Sequence, residues 1–204
     1  MNQIASRLFM ELHKMINRME SIKPVVKEIS SRRSAMAFKS DRIGDGIISS
    51  LFDAASFAPS AYNEQPWRFY YAQHHKPEPF SRILSALAPG NQEWARNASM
   101  LVLTVAKTDL SLNGDPNYHA MHDLGLATAF LILQAESMGL VTHIMGGFDH
   151  ERIREDLRIP AGYALGSVIA VGYPGDLSSL SEVNRRRATS PRSRKAIEEV
   201  AFEV

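Results

Sequence analysis

No cysteine occurs among the 204 residues, which excludes disulfides, thiolate nucleophiles and cysteine-bound zinc or iron–sulfur clusters. Long apolar runs are missing as well: no stretch reaches the roughly 18 residues that a membrane-spanning helix needs. Neither sign of charge dominates. The formal net charge of +1 predicts no global pull toward nucleic acid or an anionic membrane. The opening "MNQIASRLFMELHKMINRME" breaks its apolar positions with charges, so it lacks the continuous apolar segment of a signal peptide. These absences are those expected of a cytoplasmic protein in a reducing compartment. Internal repeats and low-complexity linkers are also absent.

What is there is an ordinary globular composition, 45% hydrophobic and 22% charged, in a chain long enough for one sizeable core. A single domain over 1–204 is expected, with residues 1–25 a helical extension and 185–204 a C-terminal arm. Apolar residues at Ile4, Leu8, Met15, Ile16 and Met19 predict a helix over 4–20. "DGIISSLFDAASFA" predicts a second helix with Asp45 as N-cap and Pro59 beyond its end. "WRFYYAQ", "SMLVLTVAK", "VTHIM" and "ALGSVIAVGYP" are strands, the second apolar throughout and so buried on both faces. "EPFSRILSALA" and "DHERIREDLRI" are helices. "YHAMHDLGLATAFLILQAESMGL" is the longest helical pattern and apolar nearly all round, which predicts a central buried helix. From Gly175 onward the chain is polar and basic, with little structure expected. Interleaved helices and strands predict an α+β, three-layer body built on one sheet.

Four stretches carry chemistry. In "PSAYNEQPWRF", residues 59–69, Asn63 and Gln65 offer donors and acceptors suited to the mixed polar edge of a heterocycle, or to Asx-type turn bonds before a strand. "SRRS" at 31–34 sets Arg32 and Arg33 beside Ser34, a combination that grips phosphate, or is simply solvated. "RRRATSPRSRK" at 185–195 has six cations and no acid. Without aromatic interleaving it reads as a solvated tail or a second phosphate clamp, and nothing else supports nucleic acid. In "HIMGGFD" at 143–149 a strand runs into Gly146 and Gly147, where bare backbone lets a flat ligand approach, or merely turns the chain. "GDGIIS" at 44–49 lacks the third glycine and the preceding strand of a dinucleotide fingerprint. His119, His122 and Asp123 are too few, and too uncertain in direction, for a metal centre.

In this order, "RRSAMAF", "APSAYNEQPWRF", "NQEWARNASMLV", "DLGLATAFLILQAESMGL", "MGGFDHERIREDLRIPAGY" and "RSRKAIEEV" resemble the nitroreductase family of flavin enzymes, over about residues 31–200. The resemblance implies a mostly antiparallel sheet flanked by helices, and FMN bound at the interface of a homodimer. It implies that Arg32, Arg33 and Ser34 hold the phosphate and ribityl chain, with Arg192 and Arg194 closing on the same phosphate. Ser60, Ala61 and Asn63, after Pro59, would line the ring from the partner subunit, with Gln65 near its polar edge or the ribityl chain. Gly146 and Gly147, after Met145, would bring backbone N–H groups to the flavin. Met36 departs from the pattern, where the family commonly carries Arg or Lys. That leaves the phosphate's charge to the arginines.

The implied activity is NADH or NADPH oxidation coupled by a ping-pong cycle to nitroaromatic, quinone or similar acceptors, with no obligatory protein nucleophile or acid. Neither nucleic acid nor a membrane is an implied partner. A dehalogenase or ene-type reductase on the same fold stays open, though the short 107–117 segment leaves little room for a lid. A flavin-binding protein without turnover, or a basic-tail interaction protein, stays open too.

Overall fold

The computed structural model describes residues 25–204, so the helix expected over 4–20 lies outside the described residues. The backbone divides after Arg32 into two units. In the first, α1 (Lys27–Ser31) ends at Arg32, whose N–H donates to the Glu28 carbonyl at 3.2 Å.

The second unit, Arg33–Val204, is built on a five-stranded sheet whose pairings are all antiparallel. In chain order its elements are β1 (Phe38–Lys39), α2 (Asp45–Ser56), β2 (Trp67–Gln73), α3 (Pro77–Ala86), α4 (Pro89–Ala95) and β3 (Met100–Lys107). There follow α5 (Ala120–Ser137), β4 (Val141–Met145), α6 (His150–Asp156), β5 (Tyr163–Pro174) and α7 (Glu182–Thr189). The hub is β5, which pairs with β1, β3 and β4, while β2 joins only through β3.

β3 is buried along almost its whole length, as its unbroken apolar run predicts. Strand alternation sends Leu101, Leu103 and Val105 to one face and Met100, Val102 and Ala106 to the other. The first set packs with Phe80 and Ile83 of α3, Trp94 of α4 and Ile153 of α6. The second packs with Ile48 and Leu51 of α2 and Leu124, Ala127 and Leu131 of α5. Three layers result, helices on both faces of one sheet. Met36 is buried in the first of these clusters, so its side chain lies in the core rather than where a cation would meet an anion.

Three expectations are corrected. Asp45 is the first residue of α2 and not its cap; Gly44 takes the extended cap conformation, and the Asp45 carboxylate pairs with Arg42 at 3.3 Å. A carboxylate in a first turn still complements the helix dipole. The tail holds a helix, α7, where little structure is expected. Ser181 caps it by accepting the Asn184 N–H, and Glu182 pairs with Arg186 one turn on. Its polar surface hides it from any apolar periodicity. Finally, α5 buries only one side. Leu124, Ala127, Leu131 and Ala135 face the sheet and α2, whereas Met121 and Phe130 stay 46% and 39% exposed, because one chain offers only one face to pack against.

Candidate functional site

One group of residues is assembled along β4. Ser34 runs parallel to Thr142 as an isolated bridge, and the Ala35 N–H donates to the Thr142 carbonyl at 3.0 Å. The Ala35 carbonyl meets His143 Nδ1 at 2.7 Å, and that imidazole packs on Trp94 at 4.6 Å between ring centroids. Segment 34–35 is therefore clamped to the strand that leads to the glycine pair. The Arg33 guanidinium donates to the Ser190 carbonyl, which joins this clamp to the tail two residues before Arg192. Arg192 and Arg194 are exposed, and the Arg194 guanidinium also donates to the neighbouring Ser193 carbonyl. Arg32 belongs to the first unit.

At the far end of β4, Met145 is buried while Gly146 and Gly147 are exposed. The Gly147 carbonyl accepts from the Ala88 N–H at 2.9 Å and from the Asn91 amide at 3.3 Å, and Asp149 N–H donates to the Ala86 carbonyl at 2.7 Å. This turn is pinned to the loop before α4, while the Asp149 carboxylate caps α6 as its sequence implies. A Cβ on Gly146 would meet nothing within 4 Å, and one on Gly147 would make only ordinary contacts with Asn91 and Ala88. Neither φ is positive. The single chain's packing thus gives no reason for glycine here. Four residues of strand from Thr142 to Gly146 span about 13 Å.

A second group sits in residues 59–65. Tyr62, Asn63 and Gln65 all have positive φ (52°, 55° and 46°), a costly cluster for residues with side chains. Three backbone N–H groups that donate to side chains help to hold it. The Ala61 N–H donates to Asp123 Oδ2 at 2.9 Å, the Gln65 N–H to Ser60 Oγ at 3.0 Å, and the Ser111 N–H to the Glu64 carboxylate at 3.0 Å. The Gln65 amide donates to the Asn63 side-chain oxygen at 3.2 Å, so the two amides bond locally as well as facing outward. Pro59 is exposed where the loop leaves α2.

Asp123 is the residue that sequence reasoning missed. It is 3% exposed at the first turn of α5, and its other oxygen pairs with His122 Nδ1 at 3.0 Å. It serves as the anchor of the strained loop. Its one sequence signal is a carboxylate at the head of a long apolar helix, which is rarely buried without a partner.

Glu64 gives this loop a pH dependence. The Ser111 hydroxyl and N–H hold its carboxyl below the ordinary value of 4.5. A depressed folded value means the contribution is complete above about 4.5 and lost as pH falls through the folded value. The melting-temperature advantage of wild type over Glu64→Gln is therefore expected at neutral pH and expected to vanish in acid, as read by thermal scans across pH.

The family model described as "Nitroreductase family" matches residues 29–173. A provisionally named NADH dehydrogenase/NAD(P)H nitroreductase of Archaeoglobus fulgidus is 31% identical over 165 residues, covering 79% of this chain and 91% of its own. The NADH dehydrogenase of Thermus thermophilus is 28% identical, over 78% of this chain and 92% of its own. A solved oxidoreductase containing FMN superposes with a TM-score of 0.84 at 35% identity, covering 90% of this chain and 93% of that one.

Proposed function

Because this chain belongs to the nitroreductase family, we propose that it is an FMN-dependent oxidoreductase, passing a hydride from NADH or NADPH to nitroaromatic, quinone or similar acceptors. Membership supports the oxidoreductase class and the neighbour's FMN supports the cofactor. The observation that carries the reading is β4 itself. One end is clamped to Ser34 and, through Arg33, to the basic tail; the other ends in two exposed glycines, with open space where a Cβ on Gly146 would be.

FMN fits this arrangement. Arg33, Ser34, Arg192 and Arg194 would take the phosphate, since guanidinium forks match its oxygens. Gly146 and Gly147, beyond Met145, would present N–H groups to the ring's polar edge without side chains in the way. When bound, the cofactor supplies the hydride relay between donor and acceptor. The protein's share is to fix the ring and to place donors where negative charge develops. The nicotinamide donor and the acceptor use one cleft in turn, which is a ping-pong cycle.

A homodimer completes the site in this reading. A second copy would bring the loop 59–65, with Ser60, Ala61, Asn63 and Gln65, to the ring. Two uncovered apolar surfaces support this. One is the outer face of α5, where Met121, Gly125, Ala129 and Ile132 border a cavity of about 330 Å³. The other is the arm beyond residue 196, where Ile197, Val200 and Phe202 are exposed.

The test begins with the absorbance of the purified protein and the identity of the cofactor released on denaturation. Oxidation of NADH and NADPH is then followed with nitrofurazone and menadione. A colourless protein that takes up no added FMN overturns the reading. For Gly146→Ala, FMN affinity is expected to fall about tenfold with a melting temperature within about 2 °C of wild type, since surface changes stay within roughly 0.5 kcal/mol.

A further inference from the structure

The segment that carries Arg33 and Ser34 enters the core immediately afterwards. Ala35 packs against the first buried cluster, and Met36, Ala37 and Phe38 belong to it, whereas Arg33 and Ser34 are exposed. Ala35 is therefore the boundary between a fixed stretch and the two residues offered to a phosphate. Both of its backbone polar groups are held by β4. Its N–H donates to the Thr142 carbonyl at 3.0 Å, beside the Ser34 bridge. That bridge is isolated, so no ladder runs on to take the Ala35 carbonyl. A side chain takes it instead, with His143 Nδ1 at 2.7 Å. A carbonyl oxygen only accepts, so Nδ1 carries the hydrogen and donates it.

The imidazole is itself held. Strand alternation turns Val141, His143 and Met145 toward the first cluster and Ile144 to the opposite side. The His143 ring packs on the buried Trp94 indole at 4.6 Å between centroids, and Trp94 also stacks with Phe38 at 6.0 Å, their planes 17° apart. Trp94 thus secures the segment 35–38 at both ends, through Phe38 directly and through His143 at Ala35. The same helix reaches the glycine pair. Asn91 in its first turn and Ala88 just before it donate to the Gly147 carbonyl at 3.3 and 2.9 Å. α4 is a splint beside β4, tied to Gly147 where it begins and to His143 where it ends.

We propose that His143 is the positioning residue of the phosphate clamp: its Nδ1–H fixes Ala35 and so sets how Ser34 and Arg33 stand relative to the glycine pair. The consequence is selectivity between a flavin that ends in a phosphate and riboflavin, which ends in a hydroxyl. Without the bond, Arg33 and Ser34 must be ordered when the phosphate arrives. That entropy weakens FMN and leaves riboflavin untouched. The proposal rests on the FMN reading above, and it adds a residue assigned to neither the phosphate nor the ring.

Two variants separate the bond from the packing. His143→Phe keeps a ring against Trp94 and removes the donor; His143→Asn keeps an N–H at the place of Nδ1 and removes the ring. The full chain, stripped of flavin, is titrated with FMN and with riboflavin, read by quenching of flavin fluorescence. Wild type is expected to prefer FMN. His143→Phe is expected to weaken FMN about tenfold and riboflavin by less than about twofold, and His143→Asn to keep the preference. In the flavin-free protein the Ala35 amide is expected to exchange about tenfold faster in His143→Phe than in wild type or His143→Asn, as read by NMR. A wild type that binds neither flavin overturns the FMN reading and the proposal with it. A wild type that prefers FMN, with a His143→Phe variant that keeps the same preference, overturns the role of His143 alone. So does a His143→Phe variant that loses both flavins equally, or a His143→Asn variant that behaves like it. Should His143→Phe not fold, a folded His143→Asn decides: a kept FMN preference supports the bond, and a lost one overturns it.

Discussion

Arg33→Ala is expected to weaken FMN binding roughly 10- to 100-fold, the loss for one charge-assisted bond to a phosphate. Arg33 is the basic residue that the fold ties to both halves of the proposed clamp. It precedes the Ser34 bridge to β4, and its guanidinium reaches the Ser190 carbonyl near Arg192 and Arg194. Removing it subtracts a phosphate ligand and loosens the tail that carries the others. The site is exposed, so stability should move little: a shift of no more than about 0.5 kcal/mol is expected for the apoprotein. Arg33→Lys should recover only part of the affinity, because a point charge replaces a fork. The checks are calorimetric titration of apoprotein with FMN and thermal scans without it. Equal affinity in Arg33→Ala and wild type would remove Arg33 from the phosphate site.

Asp123→Ala should do the reverse, striking structure and function together. Its carboxylate is buried, and one oxygen satisfies the N–H that opens the turn at Ala61. Alanine leaves that N–H without its partner and releases a loop holding three side-chain-bearing residues at positive φ. The expected cost is on the order of 3 kcal/mol, together with at least a tenfold loss of turnover. Asp123→Asn offers the control. Its oxygen still accepts from Ala61, and its NH2 faces the His122 ring nitrogen. Urea unfolding and NADH–menadione kinetics on both variants decide the matter. If alanine and asparagine behave alike, the anchor is not the Ala61 bond.

Much of the fold was legible because its signals are local. The unbroken apolar run of β3 and the "VTHIM" strand both stand where expected, as does the helix in "DHERIREDLRI". Helix α7 was not, since Ser181 and the Glu182–Arg186 pair stabilise it with no apolar stripe to detect. At the site, the glycine pair and the arginines next to Ser34 were visible as residue types. Their assembly was not, because it depends on Ser34 pairing with a residue 108 positions away. The anchoring role of Asp123 was hidden for the same reason: its partner, Ala61, is 62 residues distant, and no local spacing reports it.

The central place of β5 carries a cost in time. Its neighbours β3 and β4 are synthesised earlier, yet neither can pair with the other, and both wait for residues 163–174. A nascent chain emerging from the ribosome can join β2 to β3 but cannot close the sheet until four-fifths of the polypeptide exists. Until then the apolar edge of β3 has no cover, which makes this interval the one in which a chaperone would be needed most.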